Sequence, residues 1–154
     1  MPIVMDNTLN QIHMTAATGG GREERAKRLA ELIRKIGDYR WVGVYEVGAE
    51  NVSIMGWSGP GAPEHPTFPV TQGLTGAAIA EKKAVVVGDV RKDPRYLTAF
   101  GSTVSEIIVP VISPDGRVIG TVDVESEKAD AFSARDQQTI EQCAEAAKLL
   151  WLLA

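Results

Sequence analysis

From Arg22 the apolar positions Ala26, Leu29, Leu32, Ile33 and Ile36 recur at helical spacing, with charges opposite, which predicts an amphipathic helix stopped by Gly37. Arg40 to Val47 and Val52 to Trp57 are β-branched and aromatic and read as strands joined by a loop at 48–51. The segment 58–66 carries three prolines and two glycines, sustains neither helix nor central strand, and predicts an open loop. Gly73 to Lys82 reads as a short helix, Ala84 to Val87 as a brief strand, and Asp93-Pro94 as the cap and first turn of another small helix. Val104 to Ile112 and Arg117 to Glu125 form the clearest hairpin, turning at Ser113-Pro-Asp-Gly116. Ser133 then caps a long last helix with Ile140, Cys143, Ala144, Ala147, Leu150 and Trp151 on one stripe.

This order predicts an α+β fold: a central antiparallel sheet of five to six strands, the long N- and C-terminal helices on one face, and small helices and loops forming a pocket on the other. The length of 154 residues suits one domain over 22–154. Residues 1–21 form an extension in which Asn7 to Ala17 has helical potential, hinged at Gly19-Gly20-Gly21.

Composition narrows the function. Sixteen Lys and Arg against 20 Asp and Glu leave a net charge of -4, with no basic block, so a nucleic-acid partner is not expected. No apolar run has membrane-spanning length, and no signal or lipidation motif follows Met1, which gives a cytoplasmic address and no membrane partner. The single cysteine, Cys143, excludes a disulfide or dithiol cycle within one chain, and its place on an apolar stripe suits a buried small hydrophobe. His13 and His65 lack neighbours at metal-ligand spacing, so neither metal nor cofactor is expected.

Two constellations remain. Alternation puts Trp41, Gly43 and Tyr45 on one face of the first strand, where the rings either pack in the core or wall a ligand site. Glu106, Asp123 and Glu125 interrupt apolar strands and need either solvent or partners. A two-residue loop at Pro114-Asp115 sets Glu106 opposite Asp123, with Glu125 on the same face; a bulge at Gly116 sets Glu106 opposite Val124 instead. Converging acids raise one another's pKa and favour a cation, an ammonium or a guanidinium.

Trp41-Val-Gly-Val-Tyr45, Gly73-Leu-Thr-Gly-Ala-Ala78, Ser105-Glu-Ile-Ile-Val-Pro110, Gly116-Arg-Val-Ile-Gly-Thr-Val-Asp123 and Phe132-Ser-Ala-Arg-Asp136 resemble a GAF domain over about residues 25–150, most similar to the free methionine-(R)-sulfoxide reductases. The resemblance implies that Trp41 and Tyr45 enclose the methylsulfinyl end of a substrate while Glu106, Asp123 and Glu125 hold its amino-acid end. It also implies cysteines near His65, at Thr75 and near Ala99, where this chain has none. A thiol reductase needs a thiolate to attack and a second thiol to resolve the product. The expected function is therefore a small-molecule-binding, sensor-type domain whose ligand carries an ammonium group; a residual reductase and a dimerisation scaffold with a vestigial pocket are the alternatives. A cyclic-nucleotide signature matches only at Lys128, Phe132 and Asp136, and the acids repel phosphate. Apolar faces on the terminal helices, Leu149 to Leu153 among them, predict a homodimer.

Overall fold

The computed structural model describes residues 3–97 and 101–153, with side chains from residue 6 onward. Helices α1 (Ile3–Ala17) and α2 (Arg22–Ile36) precede a hairpin of β1 (Trp41–Val47) and β2 (Asn51–Ser58). An irregular stretch leads to β3 (Thr67–Pro69), α3 (Gly73–Glu81) and β4 (Val85–Val87). The hairpin of β5 (Ser105–Ile112) and β6 (Val118–Ser126) and the helices α4 (Ala134–Ala146) and α5 (Leu149–Leu152) complete the order. The six strands lie antiparallel as β3-β2-β1-β6-β5-β4.

Alternation along the central strands separates two cores. Val42, Val44, Ile107, Val109, Val122 and Val124 point to the helical side and pack with Ile12, Leu29, Ile33, Ile140, Cys143 and Leu150. Trp41, Tyr45 and Val52 form a separate cluster on the other face, as do Leu74, Ala78, Val85 and Ile108. This is the expected α+β arrangement, with long helices behind the sheet and loops in front of it. No described helix is long and apolar enough to cross a membrane.

Helix α1 is longer than the expected 7–17, and Ile12 and Ala16 are fully buried in the helical core. Carbonyls at and just past its C-terminus accept from α2: Arg25 Nη1 donates to Ala16 O at 2.5 Å, and Arg28 Nη2 donates to Gly19 O in the connecting turn.

Several local expectations change. The three-residue edge strand β3 has no signal in the sequence, because Pro66 precedes it, Pro69 ends it and a strand this short carries no alternation. Asp93-Pro94 opens no helix; a single 3-10 turn spans Val90–Lys92, and the Asp93 carboxylate accepts from the Arg95 backbone at 2.9 Å, closing a local turn instead. The last helix is not continuous. Ser133 caps α4 through a capping box with Asp136, but the helix ends at Ala146 and resumes as α5. The break lets Trp151 reach the sheet, where its Nε1 donates to Tyr45 O at 3.0 Å. Asp136 also accepts from the Tyr39 hydroxyl at 3.0 Å, and Phe132 packs 5.9 Å from the Tyr39 ring. Two of the three residues of the partial cyclic-nucleotide signature, Phe132 and Asp136, thus serve the α4 terminus.

The β5–β6 register corrects both sequence alternatives: Glu106 faces Glu125, and Asp123 faces Ile108. Two single-residue slips produce this. The turn closes as Ser113 N to Arg117 O at 2.8 Å around a three-residue loop whose Gly116 adopts φ +88, a left-handed conformation glycine takes without a Cβ penalty. A second irregularity lies between Val111 and Ile112. One slip would have turned every side chain to the other face; two restore parity, so all three acids share the loop side of the sheet.

Candidate functional site

The register places the site residues in rows across three central strands. Trp41, Glu125 and Glu106 form one row, Gly43, Asp123 and Ile108 the next, and Tyr45, Thr121 and Pro110 the third. Gly43 is the gap into which both rings fold. A Cβ there would lie 2.3 Å from Trp41 Cη2 and 2.9 Å from Tyr45 Cε1. The rings are buried at 1% and 2% exposure, so they are packed and also line cavities beside the acids.

The three carboxylates converge beneath them. One oxygen from each of Glu106, Asp123 and Glu125 lies within 4.8 Å of the others, and all three residues are buried. Glu106 and Asp123 share a hydrogen bond that raises the Glu106 pKa and lowers that of Asp123, which puts the proton on Glu106. Glu125 accepts from Thr103 Oγ1 at 2.6 Å. Asp123 Oδ1 and Glu125 Oε2 are left buried with no hydrogen-bond partner, as is Thr121 Oγ1 two residues along β6.

Burial is the main force on these groups. It drives Glu106 well above the usual carboxylate range, with the charges of Asp123 and Glu125 adding to it. Burial carries Glu125 to about 8, against the Thr103 hydrogen bond, and Asp123 to about 6. A carboxyl held above its unfolded pKa binds more protons folded than unfolded, so its contribution is complete at acid pH and is lost as pH rises through the folded value. The ligand-free protein is therefore expected to lose melting temperature steadily from about pH 5 to about pH 9. Glu125→Gln should flatten the slope between about pH 5 and about pH 8, read by thermal denaturation across a buffer series. Asp89 and Asp115, held down to about 2 by hydrogen bonds to Arg91 and to Ser113 and Arg117, act oppositely and only in strong acid.

Two cavities meet the acids. A small one of about 20 Å³, room for about one water, is lined by Tyr45, His65, Phe68, Leu74, Thr75, Leu97, Glu106 and Asp123 among others. A larger one of about 160 Å³ lies against Trp41, Glu125, Thr103, Ser102, Pro60 and Gly61. A depression of about 780 Å³ between α2 and β2 shares no residue with either. Of the sequence-derived positions, Tyr45, His65, Thr75, Glu106 and Asp123 line the small cavity, and Trp41 and Glu125 the large one. Ala99 lies outside the described residues. Sequence reasoning missed Thr103 and Thr121. Thr121 shares the alternation of Asp123 and Glu125 and was legible that way; Thr103 precedes its strand and carried no signal.

Cys143 sits on the opposite side of the sheet, in the helical core, where burial pushes its thiol up to about 12. Among the described residues, the acid trio is the group able to hold a metal ion. Each acid offers one oxygen to the common centre, which matches the three donor hydrogens of an ammonium.

The family described as GAF domain matches residues 21–149. The free methionine-R-sulfoxide reductase of Saccharomyces cerevisiae is 34% identical over 110 residues, covering 70% of this chain and 60% of that protein. The chain thus spans 60% of that relative's own length. The free methionine-R-sulfoxide reductase of Neisseria meningitidis, solved in complex with its substrate, superposes with TM-score 0.84 at 28% identity, covering 96% of this chain and 88% of that one. The type II free methionine-R-sulfoxide reductase of Thermoplasma acidophilum gives TM-score 0.75 at 29% identity, covering 84% of this chain and 95% of that one.

Proposed function

Since the chain belongs to the GAF domain family, we propose that it is a small-molecule-binding module of sensor type, a non-redox relative of the free methionine-R-sulfoxide reductases, whose ligand carries an ammonium group. The observation that carries this is the buried acid trio with two carboxylate oxygens lacking partners, set beside two aromatic rings. An unpaired buried carboxylate costs several kcal/mol, and a cationic nitrogen within reach of two or three of these oxygens relieves that cost. An amino acid or an amine fits, with Trp41 and Tyr45 against its apolar part.

The non-redox part rests on sulfur. His65 and Thr75 stand where the resemblance puts thiols, and the sole cysteine is behind the sheet with a thiol that stays protonated at neutral pH. Calorimetric titration of the full chain with amino acids and amines, joined to melting curves, is expected to show heat and a raised melting temperature for at least one of them. Silence in both measurements sinks the binding reading. A thioredoxin-coupled NADPH assay with free methionine sulfoxide is expected to show no turnover. Sustained turnover abolished in Cys143→Ser would instead restore the reductase.

We propose in addition a cytoplasmic setting and a homodimer through the terminal helices. Exposed Met14, Leu152 and Leu153 support the dimer. A one-chain mass by light scattering at micromolar concentration would remove it.

A further inference from the structure

Strand β2 is flanked on both sides for only part of its length. β3 pairs with it from Asn51 to Ser53, and that ladder closes where Ile54 N donates to Pro66 O at 2.8 Å. Met55 is then an extra residue in β2, since Tyr45 faces Ile54 and Val44 faces Gly56. Such a bulge bends its strand and ends pairing on that side. From Met55 to Ser58, β2 therefore has β1 on one side and no strand on the other among the described residues. An edge of this kind is a template for one more strand. Beside it lies the depression of about 780 Å³ walled by α2. The wall is close and fixed: a Cβ at Gly56 would lie 2.5 Å from Lys27 N and 2.6 Å from Ala26 C. Met55 packs with the helical core and Trp57 with the cluster on the loop side, and both are only half-buried, so apolar surface borders the groove on either face of the strand. Glu23, Lys27 and Glu31 follow one another at single turns along α2. Acids in the first turn suit a helix N-terminus, but Glu31 lies two turns further on. Arg28 engages Glu24 at 3.5 Å, and neither Glu23 nor Glu31 has an ion pair among the described residues. The wall is therefore net negative.

We infer that this edge docks a partner protein through an extended basic segment that adds a strand to β2 at Met55 to Ser58. Side chains of an added strand alternate between the two faces of the sheet, so lysines or arginines at every second position reach Glu23 and Glu31, and the apolar residues between them lie on the Trp57 side. Main-chain hydrogen bonds to β2 supply the affinity, and the acids of α2 select the sign of charge. A second copy of this chain is the poorer occupant, because a two-fold pairing of β2 edges sets the same acidic wall beside itself. The groove shares no residue with the cavities at the acid trio, so the inference stands apart from the ammonium reading.

The test titrates the full chain, at low ionic strength, with three short dye-labelled peptides read by fluorescence anisotropy: one alternating lysine and valine, one alternating glutamate and valine, and the lysine peptide N-methylated throughout. The lysine peptide is expected to bind at least about tenfold tighter than the glutamate peptide, and N-methylation, which removes the main-chain donors, to abolish its binding. Backbone hydrogen exchange should slow at 54–58 when the lysine peptide is present. The double variant Glu23→Lys, Glu31→Lys changes only the surface of α2, so it should reverse the preference between the two peptides and leave the melting temperature unaltered. Should it melt early, Glu31→Gln alone is expected to weaken the lysine peptide at least about threefold. No binding of the lysine peptide, equal binding of its N-methylated form, or slowed exchange elsewhere than at 54–58 overturns the inference. Exchange at 54–58 that slows with rising protein concentration in the absence of peptide assigns the edge to a second copy and overturns it equally.

Discussion

Asp123→Asn is expected to raise the melting temperature of the ligand-free protein and to abolish ligand binding in the same stroke. The side chain is 4% exposed, accepts a hydrogen bond from Glu106, and keeps Oδ1 without a partner. Its carboxyl is raised from 3.8 to about 6 by burial. Two pKa units correspond to about 3 kcal/mol paid by the folded state at neutral pH, and an amide of the same shape removes that cost. The Glu106 proton still finds an acceptor in the Asn oxygen, while the amide N–H groups that replace Oδ1 need acceptors of their own. For a chain of this size the gain amounts to a rise of about 5–10 °C. Binding of amines should weaken by about a hundredfold or more, since truncating one partner of a buried charge pair typically costs 2–5 kcal/mol. Thermal melts and calorimetry on the same preparation decide it. A variant that melts below the unmodified chain, or that binds amines unchanged, contradicts the assignment of Asp123 as the anionic centre. A gain in stability at the expense of binding is the usual signature of a site held in strain for function.

Trp41→Ala should be the most destabilising single substitution at the site, by about 3–5 kcal/mol in urea denaturation. Among the described residues, Trp41 is the bulkiest fully buried side chain. Its ring fills the gap over Gly43 and approaches Gly59, and its Nε1 donates to Gly61 O at 3.0 Å, which anchors the prolyl loop to the sheet. Truncation removes that anchor and opens the wall of the Glu125 cavity together. Trp41→Phe keeps most of the apolar volume but leaves the Gly61 carbonyl without its donor, and should cost about 1–2 kcal/mol. A loss below about 1 kcal/mol for the alanine variant would mean that the ring contributes little packing.

Much of this architecture was legible beforehand because it depends on period and parity. The spacing of Ala26, Leu29 and Ile33 on α2 and of Ile140, Cys143 and Ala144 on α4 is local information, and the helices lie where those stripes put them. What failed depended on distant partners. The last helix breaks because Trp151 hydrogen-bonds a carbonyl on β1, a contact 106 residues away that no local pattern encodes. Asp93 stays out of a helix because its side chain is spent on Arg95.

The amino-acid order alone determined that Asp123 and Glu125 share one face of their strand and that Trp41, Gly43 and Tyr45 share one face of theirs, because side chains alternate along a strand. It also determined that no second thiol exists. The tertiary structure alone decided that Glu106 faces Glu125, since that follows from two backbone slips whose sum the turn sequence does not encode. It likewise decided which acid keeps its proton and which oxygens stay unpaired, because these follow from desolvation and from Thr103 arriving from outside the strands. Charge state inside a protein depends on the packing around a group, and packing is settled only when the chain closes on itself.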